Sequence, residues 1–350
     1  LDALEKEIAF TAEVCKHKVL NSVYIGGGTP TTLSAEQMDR LLTMIGSYFD
    51  IADEQGRMIY ADEHVNEIDV IDEAQNPMDG AGTENALTDA DNKMEKARKQ
   101  TQLLEFTVEA GRPDSITREK LEVIHRHNIS RISINPQTMK EETLRLIGRQ
   151  HTVQQTIDSF KLAREVGFDN INMDLIAGLP GEHPEEMEDT LRQIKELAPD
   201  SLTVHALAMK HGSRLTRERA ASTEKQNYKQ MARELEEMID MARKAADEME
   251  LYPYYLYRQK NIAGNFENVG YAKVDKAGIY NILIMEEKQS IVAAGAGAST
   301  KVVLPYEIPA PGSKNGRMTN LIRIENVRDV GEYISRIDEM IERKGEWLWH

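Results

Sequence analysis

The feature that most constrains this chain is an alternation: short β-type runs, each followed by a helical pattern, recur from residue 22 to residue 207. Residues 22–25 (SVYI) form a compact strand that runs into glycines. A helix is expected from Ser34, with Gln37 three positions on completing a capping box and Leu41, Leu42 and Ile45 turned inward. A strand at 103–109, a helix after Thr117 carrying Leu121 and Ile124, and a strand at 129–134 come next. Thr152 and Gln155 form a second capping box. The helix they open carries Val153, Ile157, Phe160 and Ala163 and should stop at Gly167. Strands at 170–176 and 201–207 flank a helix that starts at Pro184 and carries Met187, Leu191 and Ile194. This order implies an α/β fold with a parallel sheet and helices outside it. Chemistry is then expected at the loops leaving the C-terminal ends of the strands.

Near residue 212 the character changes. A long amphipathic helix over about 222–250 carries Tyr228, Met231, Leu235, Met238 and Met249. Tyr/Gly-rich segments, short strands and a last helix with Ile334, Ile337 and Ile341 follow. We expect a barrel-type region over 1–210 and a smaller α+β region over 211–350. Residues 51–102 interrupt the first region. Between Asp50 and Glu95 lie 14 acidic and two basic residues, which supply −12 of the chain's net charge of −16. With Pro77, Gly80, Gly82 and weak periodicity, this stretch reads as a solvated insertion. It is not a calcium loop, because Lys93 follows Asp89 and Asp91 and no glycine sits at the turn.

The net charge argues against nucleic acid or an anionic membrane surface as the main partner. No apolar run approaches the roughly 20 residues that cross a bilayer, so a cytoplasmic protein is expected. The single cysteine, Cys15, excludes a disulfide framework and any all-cysteine metal site supplied by this chain alone. It follows Leu1, Leu4, Ile8 and Ala12 at helical spacing and is expected to be a core residue.

The strongest local motif is Gly26-Gly27-Gly28-Thr29-Pro30, directly after a strand. Successive glycines let backbone groups approach a ligand closely, and they also serve a plain tight turn. No Gly-Lys-Ser/Thr follows, so this is not a P-loop, and the late start of the next helix does not fit a dinucleotide fingerprint. Glu109, Gln137, Arg149 and Asp174 sit at or just past strand ends. Together they could hold a ligand with an ammonium, a carboxylate and a diol; singly, each also reads as an ordinary solvent-exposed side chain. Gly295-Ala296-Gly297-Ala298-Ser299 is either a second site loop or a strand turn. His205 and His211 have no third partner at metal-ligand spacing.

Four stretches, YIGGGTPTTLS, TVEAGRPDS, ISRISINPQTM with GRQHT, and NINMDLIAGLPGEHPEEM, are similar in order and spacing to the oxygen-independent coproporphyrinogen III oxidases of the radical S-adenosylmethionine (SAM) family. Within that family the chain resembles the clostridial-type, coproporphyrinogen dehydrogenase-like branch, which LYRQKNIAGNFENVGY also matches. The resemblance implies a partial (β/α)6 TIM-like barrel lacking its first strand, with a smaller C-terminal α+β domain. It places Gly26, Gly27, Gly28 and Thr29 at the methionine end of SAM and Glu109 at its ammonium. Gln137 and Arg149 fall at the carboxylate, Asp174 at the ribose diol, and Ile176 and Ala208 beside the adenine. The family's CxxxCxxC ligands of a [4Fe–4S] cluster are expected upstream of residue 1, so the chain reads as a fragment inactive by itself. The implied reaction is oxidative decarboxylation of coproporphyrinogen III to protoporphyrinogen IX through a 5′-deoxyadenosyl radical. It needs a tetrapyrrole substrate and an electron donor protein. A haem-binding chaperone on the same fold, or a radical SAM enzyme with another substrate, are the alternatives.

Overall fold

The computed structural model describes residues 1–16, 18–61, 103–207, 224–258, 267–311, 313 and 316–348. In chain order the elements begin α1 (Asp2–Val14), β1 (Ser22–Ile25), α2 (Ala35–Tyr48), β2 (Glu105–Gly111), α3 (Arg118–Arg126), β3 (Arg131–Ile134) and α4 (Glu141–Leu146). They continue with α5 (Val153–Val166), β4 (Ile171–Ala177), α6 (Pro184–Leu197), β5 (Ser201–Ala206), α7 (Glu224–Glu248), β6 (Tyr252–Arg258), β7 (Glu267–Ala272) and α8 (Ile279–Glu286). The last are β8 (Ser299–Pro309), β9 (Met318–Glu325), α9 (Val330–Ser335) and α10 (Ile337–Leu348). The chain divides into two compact units. One comprises Leu1–Val23, Thr43–Glu105 and Ile291–His350, and the other Tyr24–Leu42 and Phe106–Ser290.

The larger unit is built on a seven-stranded sheet of order β1-β2-β3-β4-β5-β7-β6. β2 to β5 pair in parallel, and β7 and β6 continue the sheet antiparallel. The sheet is a curled half-barrel, the α/β architecture that the strand–helix alternation implies. Its strands are punctuated as the residue types dictate. Ser34 and Gln37 exchange hydrogen bonds of 3.2 and 3.0 Å, as do Thr152 and Gln155 at 3.1 and 2.9 Å. α5 ends on Gly167 at φ 117°, a conformation that costs glycine little. β3 starts at Arg131 rather than 129, because the Ile129 amide closes the turn after α3 on the Ile124 carbonyl.

Residues paired in register share a face of the sheet. One face carries Phe106, Val108, Ile132, Ile134, Met173, Leu175, Leu202 and Val204, all at most 3% exposed. α5 and α7 pack on this side, in contact with β3 and with β4 and β5 respectively. Buried Phe160, Ala163, Leu235, Met238 and Ala242 contribute the helical half of that core.

The smaller unit contains α1, the β8–β9 hairpin, α9 and α10. Its centre is polar: Glu7 and Lys344 form an ion pair whose side chains are 0% exposed. Glu7 also accepts from the Gly295 amide (2.7 Å), the Tyr333 hydroxyl (2.5 Å) and the Asn326 amide (2.8 Å). Lys344 donates further to the Ala293 carbonyl at 2.5 Å. The second glycine cluster is thus a turn into β8, with Gly295 at φ 113° and its amide fixed on Glu7. Cys15 is not a core residue: α1 ends at Val14, and the half-buried thiol, its pKa raised by burial, sits at the helix C-cap.

The acidic stretch over 62–102 lies outside the described residues, but its two ends do not. The Ala61 amide donates to the Leu103 carbonyl at 3.0 Å, and Ile51 and Met58 ahead of it are buried. Replacing residues 62–102 by a short Gly/Ser bridge should therefore leave the melting temperature within a few degrees of the parent, since loop length contributes only logarithmically. Loss of soluble, cooperatively melting protein would show that the stretch is structural.

Candidate functional site

The other face of the half-barrel sheet is polar. Thr107 pairs with Arg131, Glu109 with Ser133, Ser133 with Asn172, Asn172 with Ser201, Asp174 with Thr203, and Ile176 with His205. Alternation along each strand therefore lines the inner face with these side chains while their neighbours enter the apolar core. β6 and β7 extend the row: Thr203 pairs with Gly270, and Gly270 with Tyr255. Gly270 has to be glycine because a Cβ there would overlap the Tyr255 ring and lie 3.0 Å from the Tyr254 ring.

Glu109 is the most constrained acid on this face. The Tyr24 hydroxyl donates to its Oε1, and the Tyr24 ring stacks on Tyr280 at 4.2 Å and 17°. Burial pushes the Glu109 carboxyl above the ordinary carboxylate range; the Tyr24 hydrogen bond pulls it down, Asp174 pushes it up and Arg131 pulls it down. Burial and then the Glu109 charge raise the Tyr24 phenol, which stays protonated. Burial likewise raises the phenols of Tyr255 and Tyr280. Asp174 Oδ1 accepts from the Asn172 amide at 2.7 Å, the Asn172 carbonyl accepts from Thr203 at 3.3 Å, and His205 Nε2 lies 4.0 Å from Asp174 Oδ2. Glu109 Oε2 and Asp174 Oδ2 accept no hydrogen bond among the described residues.

The residues singled out in the sequence fall as follows. Gly26 closes β1, and a Cβ on it would overlap the Tyr24 ring and lie 3.3 Å from the Glu109 carboxyl carbon. Gly27 and Gly28 follow at φ 74° and 41° with open space around them, and the Thr29 carbonyl accepts from the Thr32 amide at 2.9 Å. Gln137, at φ 68°, is stitched to β4: its amide donates to the Asp174 carbonyl and its carbonyl accepts from the Ile176 amide, both at 2.9 Å. Arg149 follows α4, half-buried, with its amide on the Leu144 carbonyl at 2.9 Å. Among the described residues its side chain bonds none of the others. Buried His151, two residues on, links this segment to Pro136 through Nε2 at 3.3 Å, and burial keeps its imidazole neutral. Ala208 and His211 lie outside the described residues. Tyr24, Arg131, Ser133, Asn172, Thr203, Tyr255 and Tyr280 were not singled out. The signal for most of them was the polar–apolar alternation in EFTVEAG, RISI, INMDLIA and SLTVHA.

Residues 46–194 match the family model described as the radical SAM superfamily. The chain carries a radical SAM domain. It is 38% identical over 331 residues to the oxygen-independent coproporphyrinogen-III oxidase-like protein HemZ of Bacillus subtilis, covering 94% of this chain and 53% of that one. It is 30% identical over 207 residues to the heme chaperone HemW of the same organism, covering 59% and 42%. The chain thus spans about half the length of these curated relatives. Its fold resembles that of the coproporphyrinogen III oxidase HemN from Escherichia coli, with a TM-score of 0.59, 18% identity, and coverage of 97% of this chain and 62% of that one.

Radical SAM domains use SAM and a [4Fe–4S] cluster as general cofactors. The inner face fits the first: two carboxylates each present an oxygen that accepts no hydrogen bond among the described residues, beside an open glycine turn. A cluster held by cysteines needs several thiolates, and Cys15 alone does not supply them.

The raised Glu109 pKa has a stability signature. Because the folded value lies above the unfolded one, stability falls as pH rises through the window between them. Glu109→Gln should melt higher than the parent at pH 7, and the difference should vanish below about pH 4, where both side chains are neutral. A pH-independent difference between the two melting curves would contradict a buried, ionising Glu109.

Proposed function

We propose that the inner face of the half-barrel binds SAM and a tetrapyrrole, and that the whole protein carries out oxygen-independent oxidative decarboxylation of coproporphyrinogen III. The observation that carries this is the convergence of Glu109 and Asp174 on one face, with Gln137 bonded through its backbone to Asp174. Glu109 Oε2 receives the methionine ammonium, while Tyr24 fixes the other oxygen. Asp174 accepts from the ribose diol. Gln137 and Arg149 meet the carboxylate, the guanidinium offering a planar fork. The amides and carbonyls of Gly26 to Thr29 line the methionine end, and Ile176 with Ala208 the adenine. SAM, together with a reduced cluster, supplies hydrogen-atom abstraction. The protein's own residues bind, orient and shield the reacting groups. Each converted propionate loses CO2, a hydrogen atom taken up by cleaved SAM and one electron passed to an external acceptor, leaving a vinyl group, while an electron donor protein would supply the one electron that SAM cleavage consumes.

The similarity to HemW supports a second reading, in which the same face carries haem without consuming it. The two separate by incubating the reconstituted whole protein with coproporphyrinogen III and SAM under anaerobic conditions. Release of CO2 supports the enzyme; stable tetrapyrrole binding without turnover supports the chaperone.

The SAM site itself is tested calorimetrically. Arg149→Ala should weaken SAM binding by about 1.5–3 kcal/mol, the usual range for a hydrogen bond to a charged group. Arg149→Lys should recover only part of this loss, because an ammonium lacks the fork. Asp174→Asn should cost less, since an amide still accepts from a hydroxyl. Parent-like binding by Arg149→Ala would remove the carboxylate assignment.

A further inference from the structure

Glu182 is a buried acid outside the polar row of the inner face. It lies in the loop from β4 to α6, between Gly181 at φ 79° and His183, the N-cap of α6, and it is 7% exposed. A glutamate is rarely buried unless its carboxyl is paired, because the charge loses its hydration. Here the partners are two hydroxyls. Thr138, 1% exposed, donates to Oε1 at 2.6 Å, and Thr143, 3% exposed, supplies a second hydrogen bond. Burial pushes the carboxyl above the ordinary range, and these two bonds and the Lys140 charge pull it back.

Both threonines belong to the segment 136–151, which leaves β3 and carries two residues of the proposed SAM site. Gln137 precedes Thr138, and Arg149 follows α4, the helix that contains Thr143. Thr190 of α6 reinforces the same place: its hydroxyl lies 3.4 Å from that of Thr138 and accepts from the Met139 amide at 3.2 Å. The segment needs such holding. Gln137 stands at φ 68°, a left-handed conformation that is costly for a residue with a Cβ and persists only where its surroundings over-determine it. Its backbone is bonded on one side to Asp174 and Ile176 of β4. Glu182 fixes the other side through the next residue, Thr138. The same carboxyl reaches Thr143 in α4, and the Arg149 amide bonds the Leu144 carbonyl one residue further along that helix.

We propose that Glu182 is a positioning residue: by holding Thr138 and Thr143 it sets Gln137 and Arg149 at the spacing that receives the methionine carboxylate of SAM. It touches no ligand itself. This role rests on the reading of Gln137 and Arg149 as that carboxylate's partners.

The test is calorimetric titration of the reconstituted whole protein with SAM and with decarboxylated SAM, which lacks only the group in question. Glu182→Ala should weaken SAM binding about 10-fold, the factor equivalent to one charge-assisted hydrogen bond, and change affinity for decarboxylated SAM by less than about twofold. Glu182→Gln, whose amide carbonyl still accepts from Thr138, should recover most of the loss. Thr138→Val removes the hydroxyl and keeps the side chain's shape. It should show part of the same selective loss, and it serves in place of Glu182→Ala if that variant does not fold. In an Arg149→Ala background, Glu182→Ala should cost less SAM affinity than it does in the parent, because one of the groups it positions is gone. Equal weakening of both ligands, full additivity with Arg149→Ala, or parent-like binding by Glu182→Ala and Thr138→Val would each overturn the positioning role while the SAM site stands. A parent that binds SAM no better than decarboxylated SAM would instead remove the carboxylate assignment, and the role of Glu182 with it.

Discussion

Polar side chains set inside a sheet are costly unless each is paired, and the larger unit is organised around meeting that cost. In-register pairing of β2, β3, β4 and β5 puts Thr107, Glu109, Arg131, Ser133, Asn172, Asp174, Ser201 and Thr203 on one face. A slip of one residue in any of these strands would move that strand's polar set into the helix-packed core and its apolar set into the barrel. The pairing is therefore fixed twice over. Apolar burial holds it from outside, and the Asp174–Asn172–Thr203 chain and the Arg131–Ser201 bond hold it from inside. The carboxylate oxygens on this face left without a hydrogen bond among the described residues, Glu109 Oε2 and Asp174 Oδ2, are those we propose a ligand meets.

The glycines serve the same arrangement. Gly26 makes room for the Tyr24 ring against Glu109, Gly270 for Tyr255, and Gly278 for the groups around Arg131. The smaller unit uses a different device. Glu7 gathers Lys344, Tyr333, Asn326 and the Gly295 amide, tying residues at both ends of the chain into one buried cluster. Removing either charged partner from such a pair costs about 3–5 kcal/mol, because the other is left buried and uncompensated.

The fold was legible because its signals are local. Ser34 with Gln37, Thr152 with Gln155, Gly167 and Pro184 mark helix ends through their own side-chain and backbone chemistry, and the structure uses each of them at that place. Strand starts at 105 and 131 were less legible, since turn closure at Ile129 depends on the Ile124 carbonyl five residues earlier, in the last turn of α3. The site was legible only in part. Glu109 and Asp174 stand out at strand ends, but Arg131 and Ser133 lie within a short run, RISI, whose meaning depends on which face is covered. Tyr280 reaches Tyr24 across more than 250 residues of chain, and no local pattern announces that stack. Cys15 shows the converse: helical spacing alone placed it in the core, whereas α1 ends one residue too soon.

The account's central claim is that the polar inner face of the half-barrel is where the ligand sits. A crystal structure of the protein soaked with SAM tests it most directly. The account predicts the methionine ammonium within hydrogen-bond reach of Glu109 and the ribose hydroxyls at Asp174. Density instead in the groove between α7 and β6–β7, lined by Ile239, Arg243, Pro253 and Leu256, would contradict it.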